Sequence, residues 1–258
     1  MERDEDRSAA SLAPLRCPAI TAAQMREVDR IMITDMGIDL VRMMENAGRA
    51  LAELAISRFD PNRVVVLAGS GGNGGGGLVA ARHLANRGRD VQVMLARNPS
   101  GLTTVPAQQY AILRQMGVGV HLPDQGDPRE VSRFAAGADL IIDALLGYSL
   151  DGDPRGAAAT LIDWANMQPA PVLALDTPSG LDVTSGLVGQ PCIQAVATLT
   201  LALPKRGLLG AAPVGELWLA DISVPAAVYR GMGIEVGDIF HRSGLLPLDE
   251  AGYPRTPR

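Results

Sequence analysis

Val64-Val-Val-Leu-Ala-Gly-Ser-Gly-Gly-Asn-Gly-Gly-Gly-Gly77 is the stretch of the sequence that decides the fold. Its first five residues form a short, unbroken apolar run, which is typical of a strand buried on both faces of a parallel sheet. Seven of the next nine residues are glycine, and a helix is predicted from Leu78 to Asn86. Backbone amides at the start of a helix attract anions, so this segment predicts a diphosphate cradle. A flexible loop chosen for turn geometry is the alternative, although seven glycines exceed what one turn needs.

The rest of the chain alternates between strand and helix patterns. Further strands are predicted at residues 91–95, 118–122, 140–146, 172–175, 197–203 and 216–220. Further helices are predicted from Thr21, where Gln24 completes a capping box, then from residue 37 to about 58, and at 106–116, 128–136 and 156–166. Such alternation predicts an α/β protein with a mostly parallel, doubly wound sheet covered by helices on both faces. We expect one domain at residues 20–240, a flexible tail at 1–19 and a loosely packed tail at 241–258.

Composition excludes several classes of function. The 258 residues carry a net charge of −5 with no block of Lys or Arg, which argues against a nucleic-acid partner. No apolar run approaches the roughly 20 residues that cross a bilayer, and the first residues do not resemble a signal peptide. Cys17 and Cys192 lack the spacing of a disulfide framework or a zinc site. A cytoplasmic protein without membrane contact is therefore expected.

Two acidic residues occur where apolar strands end, beside the glycine segment. Ligands bind parallel sheets at the carboxyl ends of the strands, so Asp143 and Asp176 should face the same crevice. Asp143 lies within an apolar strand and needs a cation or several donors, either for function or as a structural clamp. Asp176 can serve as a general acid or base, with a turn or helix-capping role as the alternative. Lys205 could reach a ligand phosphate, but a solvated loop position is the safer expectation.

Two common nucleotide-binding patterns are missing from the chain. No acidic residue ends the predicted strand 91–95, where a dehydrogenase would hold a ribose hydroxyl. The glycine segment also lacks the Lys-Ser/Thr pair of a phosphate-binding Walker loop. An ordinary dehydrogenase and a phosphoryl-transfer enzyme are both disfavoured.

Six blocks along the chain nevertheless resemble one family in order and spacing. They are TAAQMRE (21–27), MENAG (44–48), GSGGNGGGGLVAARHL (69–84), DALLGYSLDGD (143–153), LALDTPSGLDV (173–183) and LTLALPKRG (199–207). Together they resemble the NAD(P)H-hydrate epimerase family, the YjeF N-terminal domain. The resemblance covers residues 20 to about 230.

The resemblance implies a Rossmann-like three-layer αβα sandwich that interconverts the R and S forms of NADHX and NADPHX. It implies a potassium ion held by Asn73, Asp143 and Ser179, with Asp176 as the catalytic residue. The implied substrate-binding residues are Gly72, Asn73, Gly74, Gly75, Gly76, Gly147, Tyr148, Ser149, Leu150, Asp151, Gly152, Asp153 and Asp176. A separate NAD(P)H-hydrate dehydratase is implied as functional partner, and a homodimer is a further expectation from the family.

The glycine segment departs from the family pattern at two positions. Where the family reads Gly-Asn-Asn-Gly-Gly-Asp-Gly, Gly72 replaces the first Asn and Gly76 replaces the Asp. Two polar side chains are therefore missing from the cradle. This leaves open a nucleotide-binding or scaffold protein of the same fold with weakened catalysis. A different Rossmann-type enzyme, such as a nucleotide-sugar or methyl-transfer enzyme, is the second alternative, but the ribose-binding acid that would mark it is not evident.

Overall fold

One eight-stranded sheet organises the protein. The computed structural model describes residues 16–122, 127–150, 152–241 and 243–255. The strands are β1 (Arg63–Ala68), β2 (Asp90–Leu95), β3 (Gly119–His121), β4 (Leu140–Ala144), β5 (Val172–Leu175), β6 (Ala197–Leu201), β7 (Glu216–Ala220) and β8 (Leu245–Leu248). The α-helices are α1 (Ala22–Arg30), α2 (Leu40–Phe59), α3 (Gly72–Ala85), α4 (Thr104–Gln115), α5 (Pro128–Phe134), α6 (Ala157–Asn166) and α7 (Ala226–Gly231). A π-helical turn, Ile31–Asp35, extends α1.

The strand order explains where a ligand can bind. The order is β3-β2-β1-β4-β5-β6-β7-β8, and every neighbouring pair is parallel except β7 with β8. The chain moves outward from β1 to β3 and then returns to place β4 on the other side of β1. Loops after β1 and β4 therefore diverge and leave a crevice at this switch point.

The sheet is buried on both faces, as the unbroken apolar run of β1 predicts. Val64, Val66 and Ala68 pack into the core beneath α2 and α3. Val65 and Leu67 point to the opposite face and pack into the core that includes Leu161 and Trp164 of α6. The protein is thus a three-layer αβα sandwich with a mostly parallel sheet, and the predicted fold class is confirmed.

Helix α3 begins six residues earlier than predicted. The glycines were expected to form a loop up to residue 77, but Gly72 to Gly77 are the first turns of α3. A Cβ atom on Gly74 would lie 1.9 Å from the Gly69 carbonyl oxygen, and one on Gly77 would lie 2.5 Å from Cβ of Ala144. Close packing of α3 against the sheet therefore requires these glycines and outweighs their poor helix propensity.

The two chain ends are better packed than expected where the structure describes them. Instead of lying in a loosely packed tail, Leu245–Leu248 pair antiparallel with β7 as β8, and Leu248 is buried. The apolar segment has only four residues and contains a proline, so it does not predict a strand without its partner. Most of the predicted flexible tail, residues 1–15, lies outside the described residues, but Cys17 is fully buried and its amide donates to the Gly252 carbonyl at 3.0 Å.

Other predicted boundaries differ by small amounts. The capping box of Thr21 and Gln24 is present at the start of α1, and β5 and β7 have the predicted bounds. Strands β4 and β6 end two residues earlier than predicted, because the chain turns away from the sheet to form the crevice loops. None of the helices formed by the described residues combines the length and apolar character needed to span a bilayer.

Candidate functional site

A cavity of about 900 Å³ opens at the carboxyl ends of the central strands. Its floor and walls come from the loops after β1, β2, β4 and β5 and from helices α1 and α2. The apolar side of the cavity includes Met25, Leu40 and Met44, while Asp29 and Asp176 supply acidic groups. The cavity is large enough for a nucleotide-sized ligand.

Asp143 lies beneath this cavity and is fully buried. Its Oδ2 accepts a hydrogen bond from the Ser179 amide at 2.8 Å, and its Oδ1 accepts from Ser179 Oγ at 2.6 Å and from the Leu145 amide at 3.1 Å. Burial raises the pKa of Asp143 to about 6, although these donors oppose the rise. Asp143 was expected to have a cation or several donors beside it, and the donors are present.

The three residues expected to bind potassium are linked by a chain of hydrogen bonds through Leu146 and Ser179. Asn73 Nδ2 donates to the Leu146 carbonyl at 3.0 Å, and the Leu146 amide donates to Ser179 Oγ at 2.9 Å. Ser179 Oγ in turn contacts Asp143. Carboxylate, hydroxyl, amide and carbonyl oxygens are the ligands that hard cations prefer. Such an ion fits these oxygens and a buried carboxylate that forms no ion pair with a basic side chain in the part of the chain that the structure describes.

Asp176 ends β5 in an unusual backbone conformation. Its φ is +66°, and only 3% of its surface is exposed, although it lines the cavity. Non-glycine residues seldom adopt this conformation, and it occurs disproportionately at functional sites. The amide of Asp176 donates to the Leu199 carbonyl at 2.7 Å, which fixes the turn against β6.

Lys205 is the partner of Asp176, contrary to the expectation of a solvated loop position. Its ammonium group forms a buried ion pair with the Asp176 carboxylate and donates to Thr200 Oγ1 at 3.2 Å and to the Leu201 carbonyl at 2.9 Å. The Lys205 side chain is fully buried. Its three partners match its three N–H donors, so Lys205 has no donor left for a ligand phosphate.

Sequence reasoning missed one of the acidic residues that line the cavity, Asp29. Asp29 on α1 accepts a short hydrogen bond from the Tyr148 hydroxyl, and burial raises the pKa of the Asp29 carboxyl. Asp29 and Asp176, the partner of Lys205, line the same cavity. Asp29 lies on α1, two residues after the family-like block at residues 21–27. An acidic residue directly after that block was the signal in the sequence that could have identified it.

Only some residues of the glycine segment line the cavity. Gly72, Asn73 and Gly76 line the cavity, as expected for substrate-binding residues. Gly74 and Gly75 are buried in the packing of α3 and do not line it. Gly71 and Gly72 are exposed and have open space where a Cβ would lie, so the first amides of α3 face the crevice unobstructed.

The segment after β4 closes one side of the cavity. Gly147, Tyr148, Ser149, Leu150 and Asp153 all line it. Asp153 also accepts a hydrogen bond from the Gln190 amide at 3.0 Å, which ties the segment to a neighbouring loop. Gly152 is an exposed turn residue with φ +72° and does not line the cavity. Asp151 lies outside the described residues.

Two arginines at the cavity were not anticipated. Arg97 follows β2 and Arg155 precedes α6; both line the cavity and are exposed. Neither forms an ion pair with a residue in the described part of the chain. The cavity therefore combines buried acids at its inner end with unpaired positive charge at its mouth.

Comparison with known proteins places this architecture in a family. The family described as YjeF-related protein N-terminus matches residues 41–207. A protein from Dehalogenimonas lykanthroporepellens named NAD(P)H-hydrate epimerase is 46% identical over 220 residues, which is 84% of this chain and 86% of that protein. The bifunctional NAD(P)H-hydrate repair enzyme Nnr from Moorella thermoacetica is 36% identical over 214 residues, or 80% of this chain and 40% of that enzyme.

A solved structure shares the fold. The crystal structure of yeast ynu0 superposes with a TM-score of 0.77 at 24% identity, covering 90% of this chain and all of the yeast chain. The matched family region contains Asn73, Asp143, Asp176, Ser179 and Lys205, the residues that carry the cavity chemistry. With this match and a close relative covering most of its length, the chain belongs to the YjeF N-terminal family, that of the NAD(P)H-hydrate epimerases.

Proposed function

We propose that the protein is an NAD(P)H-hydrate epimerase, an isomerase that interconverts the R and S forms of NADHX and NADPHX. The observation that carries this proposal is Asp176, a nearly buried acid in a rare backbone conformation at the inner end of a nucleotide-sized cavity. The relative named NAD(P)H-hydrate epimerase supports the substrate class, since it is 46% identical and covers most of the chain.

The proposed reaction needs one proton to move in each direction. In NADHX a hydroxyl group stands on C6 of the nicotinamide ring, next to the ring nitrogen. Asp176 gives a proton to this hydroxyl, the C6–O bond breaks, water leaves, and the ring nitrogen forms a double bond to C6. Water then adds to C6 from the opposite face and returns a proton to the Asp176 carboxylate. Lys205, whose buried ammonium group contacts the Asp176 carboxyl group, holds that side chain in position at the inner end of the cavity.

Binding of the diphosphate is assigned to the start of α3. The helix is 14 residues long, no side chain caps its N-terminus, and Gly71 and Gly72 are exposed beside the cavity. Free backbone amides and the helix dipole both favour an anion there. Loss of the two polar family side chains at Gly72 and Gly76 leaves this backbone contact intact.

Potassium is the proposed cofactor. Asn73, Asp143 and Ser179 would hold the ion, because Ser179 Oγ contacts both the Asp143 carboxylate and the Leu146 backbone, to which Asn73 is also bonded. No basic side chain among the described residues forms an ion pair with Asp143. The bound ion would supply positive charge that fixes the loops after β1, β4 and β5 relative to one another. An S-specific dehydratase is the proposed functional partner, since some relatives are named as bifunctional repair enzymes.

A coupled assay tests the activity directly. A racemic mixture of R and S NADHX is incubated with an S-specific dehydratase until the S form is exhausted, and this protein is then added. We expect the remaining R form to be recovered as NADH well above the spontaneous rate, measured in a parallel sample without the protein. Binding of NADHX with recovery only at the spontaneous rate would instead support the scaffold alternative.

A further inference from the structure

Arg97 occupies a distinctive position at the cavity mouth. It follows β2, which lies beside β1, and the Ala96 amide donates to the Ala68 carbonyl at 2.9 Å. The backbone immediately before Arg97 is therefore fixed next to the glycine segment. Asn98 Oδ1 accepts from the Ser100 amide at 3.0 Å and caps the short turn after Arg97. Arg97 is held from both sides at the level of the sheet, with its side chain at the cavity.

The cavity runs across the sheet from this point to Asp176. Strands β2, β1, β4 and β5 are consecutive neighbours, so the ends of β2 and β5 are three strand spacings apart, about 14–15 Å. A dinucleotide with its nicotinamide at Asp176 and its diphosphate at the start of α3 must place its other nucleoside towards β2. The ribose of that nucleoside is then the part nearest Arg97.

The charge of the side chain that follows β2 distinguishes a ribose with a free 2′-hydroxyl from one with a 2′-phosphate. In dinucleotide-binding sheets an acid at this place accepts a hydrogen bond from the 2′-hydroxyl, whereas an arginine accommodates a 2′-phosphate. Residues 96–102 of this chain contain no acid. Arg97 is exposed and forms no ion pair with any residue that the structure describes, so its fork of donors is available to a phosphate.

We infer that Arg97 binds the 2′-phosphate of NADPHX and gives the protein a preference for NADPHX over NADHX. The inference about turnover rests on the proposed epimerase function, while the anion site itself does not. Arg155 also lines the cavity, but it precedes α6, on the β4 side of the glycine segment, and is not next to β2. Arg155 is therefore the matched control, because it is also an exposed arginine that lines the cavity.

Binding of two small probes tests the anion site without any turnover. Adenosine 2′,5′-bisphosphate and adenosine 5′-monophosphate differ by the 2′-phosphate alone, and calorimetry on the full chain gives both Kd values. We expect the bisphosphate to bind about tenfold more tightly than the monophosphate at low salt, because it adds one charge-assisted contact at an exposed site. The ratio of the two Kd values should shrink as the salt concentration rises. Arg97→Gln should reduce the ratio to near one, and Arg155→Gln should leave it unchanged.

Kinetics then separate this inference from the proposed function. The ratio of kcat/KM for NADPHX to that for NADHX should fall by about tenfold in Arg97→Gln and stay constant in Arg155→Gln. A binding ratio near one in the natural protein, no detectable bisphosphate binding, or loss of the ratio in Arg155→Gln instead of Arg97→Gln would each overturn the assignment. If the protein showed no epimerase turnover but kept the binding ratio, the proposed epimerase function would be refuted, and the anion site at Arg97 would still be supported.

Discussion

At the scale of single residues, the site depends on buried charges that the fold must satisfy. The Asp143 carboxylate accepts hydrogen bonds from three donors, and the Asp176 carboxylate forms an ion pair with Lys205. Removing one partner of such a buried pair typically costs about 3–5 kcal/mol, because the remaining charge stays buried. The same two acids were identifiable from the sequence, since Asp143 interrupts an apolar strand and Asp176 directly follows one. Lys205 was placed in solvent because nothing in its local sequence shows that the chain folds back over Asp176.

Potassium should stabilise the protein through the residues around Asp143. An ion present at ten times its Kd adds roughly 1.4 kcal/mol to the free energy of unfolding, or about 3–6 °C in Tm for a chain of this size. We therefore expect a higher Tm in potassium chloride than in tetramethylammonium chloride at equal ionic strength. Ser179→Ala should abolish the difference between the two salts, whereas Asn98→Ala, outside the oxygen cluster, should preserve it. Equal Tm values in both salts for the natural protein would contradict the potassium site.

At the scale of elements, the strands were more predictable than the first turns of α3. Apolar runs such as Val64–Ala68 identify buried strands wherever they occur. Glycine disfavours helix in isolation, so residues 72–77 were expected to be a loop. Their helical state depends on contacts with α2 and the sheet, which are distant in sequence. The same limit applies to β8, which is a strand because β7 is beside it.

The helical glycines can be tested by adding a single methyl group. Gly74→Ala would place a Cβ 1.9 Å from the Gly69 carbonyl oxygen, so the backbone itself must move. We expect a loss of about 1–3 kcal/mol or more in the free energy of unfolding, measured by urea denaturation. Gly72→Ala has no atom within 4 Å of the new Cβ and should be neutral or slightly stabilising. Similar stability for the two variants would show that α3 does not pack as described.

At the scale of the whole molecule, the cavity exists because distant segments converge on one edge of the sheet. Helix α1 brings Asp29, the first turn of α3 brings Asn73, and Asp176 directly follows β5. The sequence predicted the shared edge, since parallel strands present their carboxyl ends together. It did not predict Asp29 or Arg155, because neither residue lies at the end of a strand. Arg97 follows the predicted strand 91–95, and its position at a strand end was the signal that could have identified it.

The most direct test of the central claim is the epimerase turnover of Asp176→Asn in the coupled NADHX assay. Asparagine tolerates a positive φ, so the variant should keep the turn after β5 and fold, which its Tm and its binding of adenosine 2′,5′-bisphosphate would verify. Loss of a general acid and base predicts a fall in turnover of about 10²- to 10⁴-fold with binding retained. A folded Asp176→Asn protein that epimerises NADHX at the natural rate would contradict the assignment of proton transfer to Asp176.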